Sequence, residues 1–122
     1  MSDSEHLDKK VLDSIRSLMP ARFDGLIKRY LESTSVYIDM AIQSAAARNA
    51  HDVTSAMHAI KSSSASLGLI RIAQAAKDIE AAADAIANGE EKDWVPVAGN
   101  LEVLGELLQA AETVLAQELN RS

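Results

Sequence analysis

The sequence predicts an all-α protein: an antiparallel up-down four-helix bundle with a short additional helix at its N-terminus. Three observations lead there. Apolar residues recur at steps of three and four along most of the 122 residues, the period of helices that bury one face. Alanine is abundant and aromatics make up only 3% of the chain, which suits close-packed helices better than a β-sandwich. Connections between the periodic stretches are short, so neighbouring helices run antiparallel.

Each element follows from its own pattern. Val11, Ile15 and Leu18 mark a short first helix, which Pro20 interrupts. Phe23, Ile27, Tyr30, Leu31, Ile38, Ala41 and Ala45 mark a longer second helix, weakened and open to bending at Ser33-Thr34-Ser35. Asn49, with Asp52 three residues on, reads as an N-cap with an acidic N3 residue. The third helix then carries Val53, Met57, Ile60, Ser64 and Leu67 on one stripe, and Gly68 stops it. Ile72, Ala76, Ile79, Ala83 and Ile86 form a fourth stripe, closed by Asn88-Gly89. Glu90-Glu91-Lys92-Asp93 is a loop, and Pro96 suits the first turn of a last helix with Leu101, Leu104, Leu108, Ala111 and Leu115 inside. No internal repeat appears, and residues 1–122 read as one domain.

Composition narrows the function. The formal net charge is −6 and no run of Lys or Arg occurs, so a nucleic-acid partner is not expected. Binding to an acidic membrane surface is disfavoured for the same reason. The chain has no cysteine, which removes disulfides, thiolate metal sites and a Cys nucleophile. Its start is polar and acidic, unlike a signal peptide, and no apolar run approaches the roughly 18 residues of a membrane span. A cytoplasmic location is expected.

His58 is the residue that invites chemistry. At about 100° per residue, the apolar stripe of the third helix centres near Val53 and Ile60, and His58 falls roughly 140° away. It therefore faces solvent together with Thr54, Ser62 and Ala65, and Lys61 flanks that face one turn on. Taken alone, this reads as an ordinary surface histidine beside a surface lysine. The other histidines compete poorly: His6 lies near a terminus, and His51 sits at a helix start where capping is its expected role. Asp78 and Glu80 on the fourth helix read as a solvated face. No His, Asp or Glu stands at the i,i+4 spacing from His58 that a helical zinc site needs.

The stretch His58-Ala59-Ile60-Lys61-Ser62-Ser63-Ser64-Ala65-Ser66-Leu67-Gly68 resembles the signature of histidine-containing phosphotransfer domains. In that family the acceptor histidine is followed by an apolar residue, a lysine, a glycine, small or hydroxyl residues, and Leu-Gly. Ile60, Lys61, Ser63, Ser64, Ala65, Leu67 and Gly68 match. The likeness extends to Arg22-Phe23, Tyr30-Leu31-Glu32 with Thr34, Ala56-Met57 and Ile79-Glu80, and so covers most of the chain. Ser62 departs from the pattern, where the family has glycine, and Leu69 stands where alanine is common. Ser62 lies one turn above His58, and its hydroxyl can bond back to the His58 carbonyl.

The resemblance implies a carrier rather than an enzyme, with no ATP site and no cofactor of its own. His58 would accept a phosphoryl group from a receiver-domain aspartyl-phosphate and pass it to another receiver in a two-component phosphorelay. Lys61 would stabilise the phosphoryl charge. Thr54, Ser62 and Ala65, with Leu12 on the first helix, would form the docking surface. Response-regulator receiver domains and a hybrid sensor histidine kinase would be the partners, the receiver bringing the Mg²⁺, and the protein would be a monomer. Neutral imidazole, with an unperturbed pKa near 6.5, suits such an attack. Ser64, on the core stripe, is expected to bond the Ile60 carbonyl. An autophosphorylating kinase dimerisation domain fits less well, since its histidine is followed by an acidic residue and soon by Thr-Pro. Composition and periodicity alone also fit a helical adaptor without phosphoryl chemistry. The phosphotransfer domain of a chemotaxis-type kinase carries a similar motif.

Overall fold

A computed structural model of the chain describes residues 7–120; His6 lies outside the described residues. Five helices lie among the described residues: α1 (Lys9–Leu18), α2 (Phe23–Ala46), α3 (Ala50–Ser66), α4 (Ile70–Ala87) and α5 (Val95–Asn120). α2 packs against α3 and α5, and α4 packs against the same two, which closes a ring of four antiparallel helices. The four long stripes read from the sequence are the core. Phe23, Ile27, Met57, Ile60, Ile72, Ile79, Leu101, Leu104 and Leu115 are all fully buried. Each such side chain contributes on the order of 2 kcal/mol through the water it no longer contacts.

Local chemistry sets the ends of the helices. The Asn49 Oδ1 accepts the Asp52 amide at 3.1 Å, and its Nδ2 donates to the Asp52 carboxylate at 2.8 Å, so the predicted cap starts α3. α3 stops at Gly68, whose φ of +79° is the left-handed conformation glycine tolerates. There the Leu69 amide reaches back to the Ser64 carbonyl (2.9 Å) and the Gly68 amide to Ala65 (3.1 Å). The turn between α3 and α4 is therefore tight, and it fixes their mutual register. α2 runs unbroken through Ser33-Thr34-Ser35, with Thr34 buried. Packing on both sides outweighs the weak local helix preference there.

α1 lies across the end of the bundle where α3 turns into α4 and where α5 finishes. The Asp8 amide donates to the Gly68 carbonyl at 2.7 Å. The Arg16 guanidinium stacks 4.6 Å from the Phe23 ring centroid and bonds the Glu118 carbonyl (3.0 Å) and carboxylate (3.3 Å). This placement corrects the first stripe. Leu12 is the α1 residue that is buried, while Leu18 is 82% exposed. α1 is clearly two-sided, but the side it buries is rotated toward Leu12 and away from Leu18 by the way it lies across the bundle end.

Candidate functional site

α3 and α4 present the site together. The turn at Gly68 aligns them so that a step of four forward on α3 matches a step of four back on α4. Thr54 meets Asp84, its Oγ1 lying 3.2 Å from the Asp84 Oδ1, and His58 meets Glu80. The Thr54 hydroxyl also bonds the Ala50 carbonyl at 3.1 Å.

His58 stands at the middle of α3 with its side chain 68% exposed, as its wheel position requires. Its Nδ1 lies 3.2 Å from the Glu80 Oε2. The other Glu80 oxygen accepts from the Lys61 Nζ at 2.7 Å. One carboxylate thus bridges both residues of the His-x-x-Lys motif. The Glu80 side chain is only 16% exposed, yet the Lys61 ammonium first, and then the His58 ring, hold its carboxyl below the ordinary glutamate range. It is a carboxylate at neutral pH, and a carboxylate only accepts hydrogen bonds. Nδ1 is therefore the protonated ring nitrogen, and the lone pair of the neutral ring is on Nε2, the nitrogen pointing away from Glu80.

Glu80 is the site residue that the sequence reading assigned to a solvated face. The Ile79-Glu80 pair belongs to the family pattern, which was the available signal. What brings Glu80 to His58 is a contact spanning 22 residues of chain, and periodicity within one helix cannot report it. Asp78 fits the expectation: it is exposed and accepts from the Gln74 side chain at 3.0 Å. His51 does not cap α3; Asn49 does, and His51 is exposed on the first turn.

The expected docking residues divide. Ser62 and Ala65 are exposed on the His58 face, and Thr54 is half-buried there by its bond to Asp84. Leu12 is removed from this surface: it is fully buried, because α1 turns that face onto the bundle end. Exposed apolar surface near α1 comes instead from Leu18 and Met19. An open groove of about 470 Å³ lies between α1, α2 and α3, lined by Met19, Leu26, Arg29, Ser63 and Ser66 among others.

Two hydroxyls differ from expectation. Ser64 does not bond the Ile60 carbonyl; its Oγ lies 2.6 Å from the buried Tyr30 hydroxyl, tying α3 to α2. Burial pushes the Tyr30 phenol above its ordinary pKa, so it remains neutral. It is Ser63 that bonds back, to the Ala59 (3.1 Å) and Ile60 (3.3 Å) carbonyls. The Ser62 hydroxyl makes no bond to the His58 carbonyl, and the Ser62 carbonyl accepts from Ser66 at 3.0 Å. Among the described residues, no group of three His, Cys, Asp or Glu side chains gathers to hold a metal ion. No helix among them is long and apolar enough to cross a membrane.

An exposed, carboxylate-anchored histidine on a four-helix bundle agrees with what comparison finds. Residues 25–117 match the family model of the Hpt domain. The chain belongs to this family. As an Hpt protein it is a histidine phosphotransfer protein of phosphorelays, and the matched segment contains His58, Lys61 and Glu80. In fold it is similar to the histidine-containing phosphotransfer protein B of Pseudomonas aeruginosa PAO1. That crystal structure superposes with a TM-score of 0.85 at 20% identity, over 96% of each chain. No curated protein matches the sequence.

Proposed function

We propose that His58 is the phosphoacceptor of this Hpt protein and that Nε2 is its reacting atom. The observation that carries the reading is the divided imidazole. Nδ1 is bonded to Glu80 inside the α3–α4 seam, and the rest of the ring stands in solvent at the centre of α3. The Nε2 lone pair attacks the phosphorus of a receiver aspartyl-phosphate in line, the bond from phosphorus to the acyl oxygen breaks, and the aspartate leaves as carboxylate. Onward transfer to a second receiver reverses these steps on a new aspartate. No base is required, because the attacking nitrogen carries no proton.

The carrier works without a catalytic centre or ATP site of its own. Charge on the phosphoryl oxygens is neutralised by Mg²⁺ that belongs to the receiver, and Lys61 adds a cation three residues from His58. Exposed Ser62 and Ala65 keep the surface beside the ring low, so that a receiver can close over it. Response-regulator receivers and a hybrid sensor histidine kinase are the partners this chemistry calls for.

The test is transfer from a phosphorylated receiver with Mg²⁺. Wild-type protein should take up acid-labile, alkali-stable label, and His58→Ala and His58→Gln should take up none. Label persisting in both folded variants would overturn the assignment.

A further inference from the structure

Glu80 has a consequence for the phosphorylated state, and this inference rests on His58 being the acceptor. When Nε2 attacks phosphorus, the ring keeps its Nδ1 proton and becomes a cationic N-phosphoimidazolium. Its later fate depends on that proton. With Nδ1 protonated, the P–N electron pair returns to Nε2 and the ring leaves as neutral imidazole. With Nδ1 deprotonated, the ring must leave as imidazolate, a far poorer leaving group, and the phosphohistidine is long-lived. Whatever holds the Nδ1 proton therefore sets how readily the phosphoryl group moves on.

We propose that Glu80 is a positioning residue that holds the Nδ1 proton on phosphorylated His58, and so keeps the phosphoryl group in its transferable, labile form. The geometry supports this. The Glu80 Oε2 is 3.2 Å from Nδ1, and its side chain is mostly sheltered from water. An opposite charge at that distance favours the protonated ring. The Lys61 ammonium, 2.7 Å from the other oxygen, draws on the same charge and moderates it while the ring is unmodified. The bulky dianion added at Nε2 competes for that ammonium, which leaves more of the carboxylate to the ring. The other charged groups of this face are few. Asp84, one turn from Glu80 on α4, is engaged by Thr54, and Lys77, one turn the other way, stands level with Lys61. α2 lies on the opposite flank of α3, where its polar link is the neutral Tyr30–Ser64 pair.

The experiment needs no partner protein. Phosphoramidate, a small-molecule donor whose P–N bond breaks to release ammonia, loads wild-type, Glu80→Gln and Glu80→Ala proteins. Hydrolysis of the phosphohistidine is then followed across pH by ³¹P NMR, with the Nδ1 protonation state read from ¹⁵N shifts. Glutamine keeps the acceptor oxygen but not the charge, so it separates charge from placement. In Glu80→Gln the phosphohistidine should survive about tenfold longer at neutral to mildly alkaline pH, with Nδ1 losing its proton at lower pH. Glu80→Ala should be at least as long-lived. Equal lifetimes for wild type and Glu80→Gln at every pH would overturn the role of the charge, as would a shorter lifetime in both variants. Wild-type protein that takes no label on His58 would sink the acceptor assignment itself; normal labelling with unchanged lifetimes would sink only the role given to Glu80.

Discussion

Glu80 and Glu118 are alike in construction and opposite in use. Each is a largely sheltered carboxylate bridging two basic side chains of a neighbouring helix. Glu118 receives Lys9 (3.8 Å) and Arg16 (3.3 Å) from α1, and Glu80 receives His58 (3.2 Å) and Lys61 (2.7 Å) from α3. At Glu118 the partners from α1 are a lysine and an arginine, and the guanidinium is pinned between the carboxylate and the Phe23 ring. Nothing there is left to react, so the bridge fastens α1 across the bundle end. At Glu80 one partner is an imidazole whose second nitrogen stands in water. The same bridge then orients a nucleophile. The nature of the basic partner and its exposure decide between a fastener and a site.

The sharpest way to break this contrast is to remove one partner at each end. His58→Gln should abolish phosphoryl uptake completely and leave the melting temperature nearly unchanged, because the side chain is surface-exposed. Glu118→Ala should do the reverse. It takes the carboxylate from the Arg16 guanidinium, which keeps Asp13 and the residue-118 carbonyl as acceptors, and should cost about 1–2 kcal/mol in chemical denaturation. Folded Glu118→Ala should still accept label; loss of labelling in that folded variant would put the bundle end inside the functional unit.

Two glycines sharpen the same comparison. Gly68 and Gly89 both have φ +79°, but a Cβ on Gly68 would lie 2.9 Å from the Asp8 carbonyl oxygen and 3.1 Å from the Val11 Cβ, whereas at Gly89 it would meet open space. Gly68→Ala should therefore cost about 2 kcal/mol or more, by adding displacement of α1 to the left-handed strain, against about 1 kcal/mol for Gly89→Ala. Equal costs in denaturant titrations would mean that α1 is not held tightly at this turn.

Smaller effects belong to the site. Lys61→Ala should fold normally and slow receiver-dependent transfer about fivefold, the worth of one partly exposed ion contact. Unchanged rates would remove Lys61 from the reaction. The smallest effect is on stability against pH. Because the folded state holds the Glu80 carboxyl below its ordinary value of 4.5, its contribution is complete above that pH and is lost as pH falls through the folded value. Wild type should lose stability more steeply than Glu80→Gln on acidification below about pH 5, with parallel curves at neutral pH.

Much of the site is legible in local residue spacing. Val53, Met57, Ile60 and Ser64 fix the phase of α3, and that phase alone turns His58 outward. The Leu67-Gly68 stop gave the turn that aligns α3 with α4. Leu12 misled because the side of α1 that meets the bundle is turned from Leu18 toward Leu12, and that rotation is set by how α1 lies on the bundle end. Ser64 misled because a buried hydroxyl takes the strongest nearby partner, and the Tyr30 phenol, 34 residues away in sequence, replaced the local carbonyl.

By itself, then, the sequence determined the five helices of the described residues, the Asn49 cap that starts α3, the stops at Gly68 and Gly89, and the outward direction of His58. These follow from interactions within a turn or two of chain, where residue spacing is a direct measure of geometry. Only the tertiary structure decided that Glu80 stands against His58 and Lys61, that Leu12 lies inside, and that Arg16 closes on Glu118. Each of those depends on how two helices are set against one another. That setting comes from the packing of the whole core, to which each residue contributes only a part.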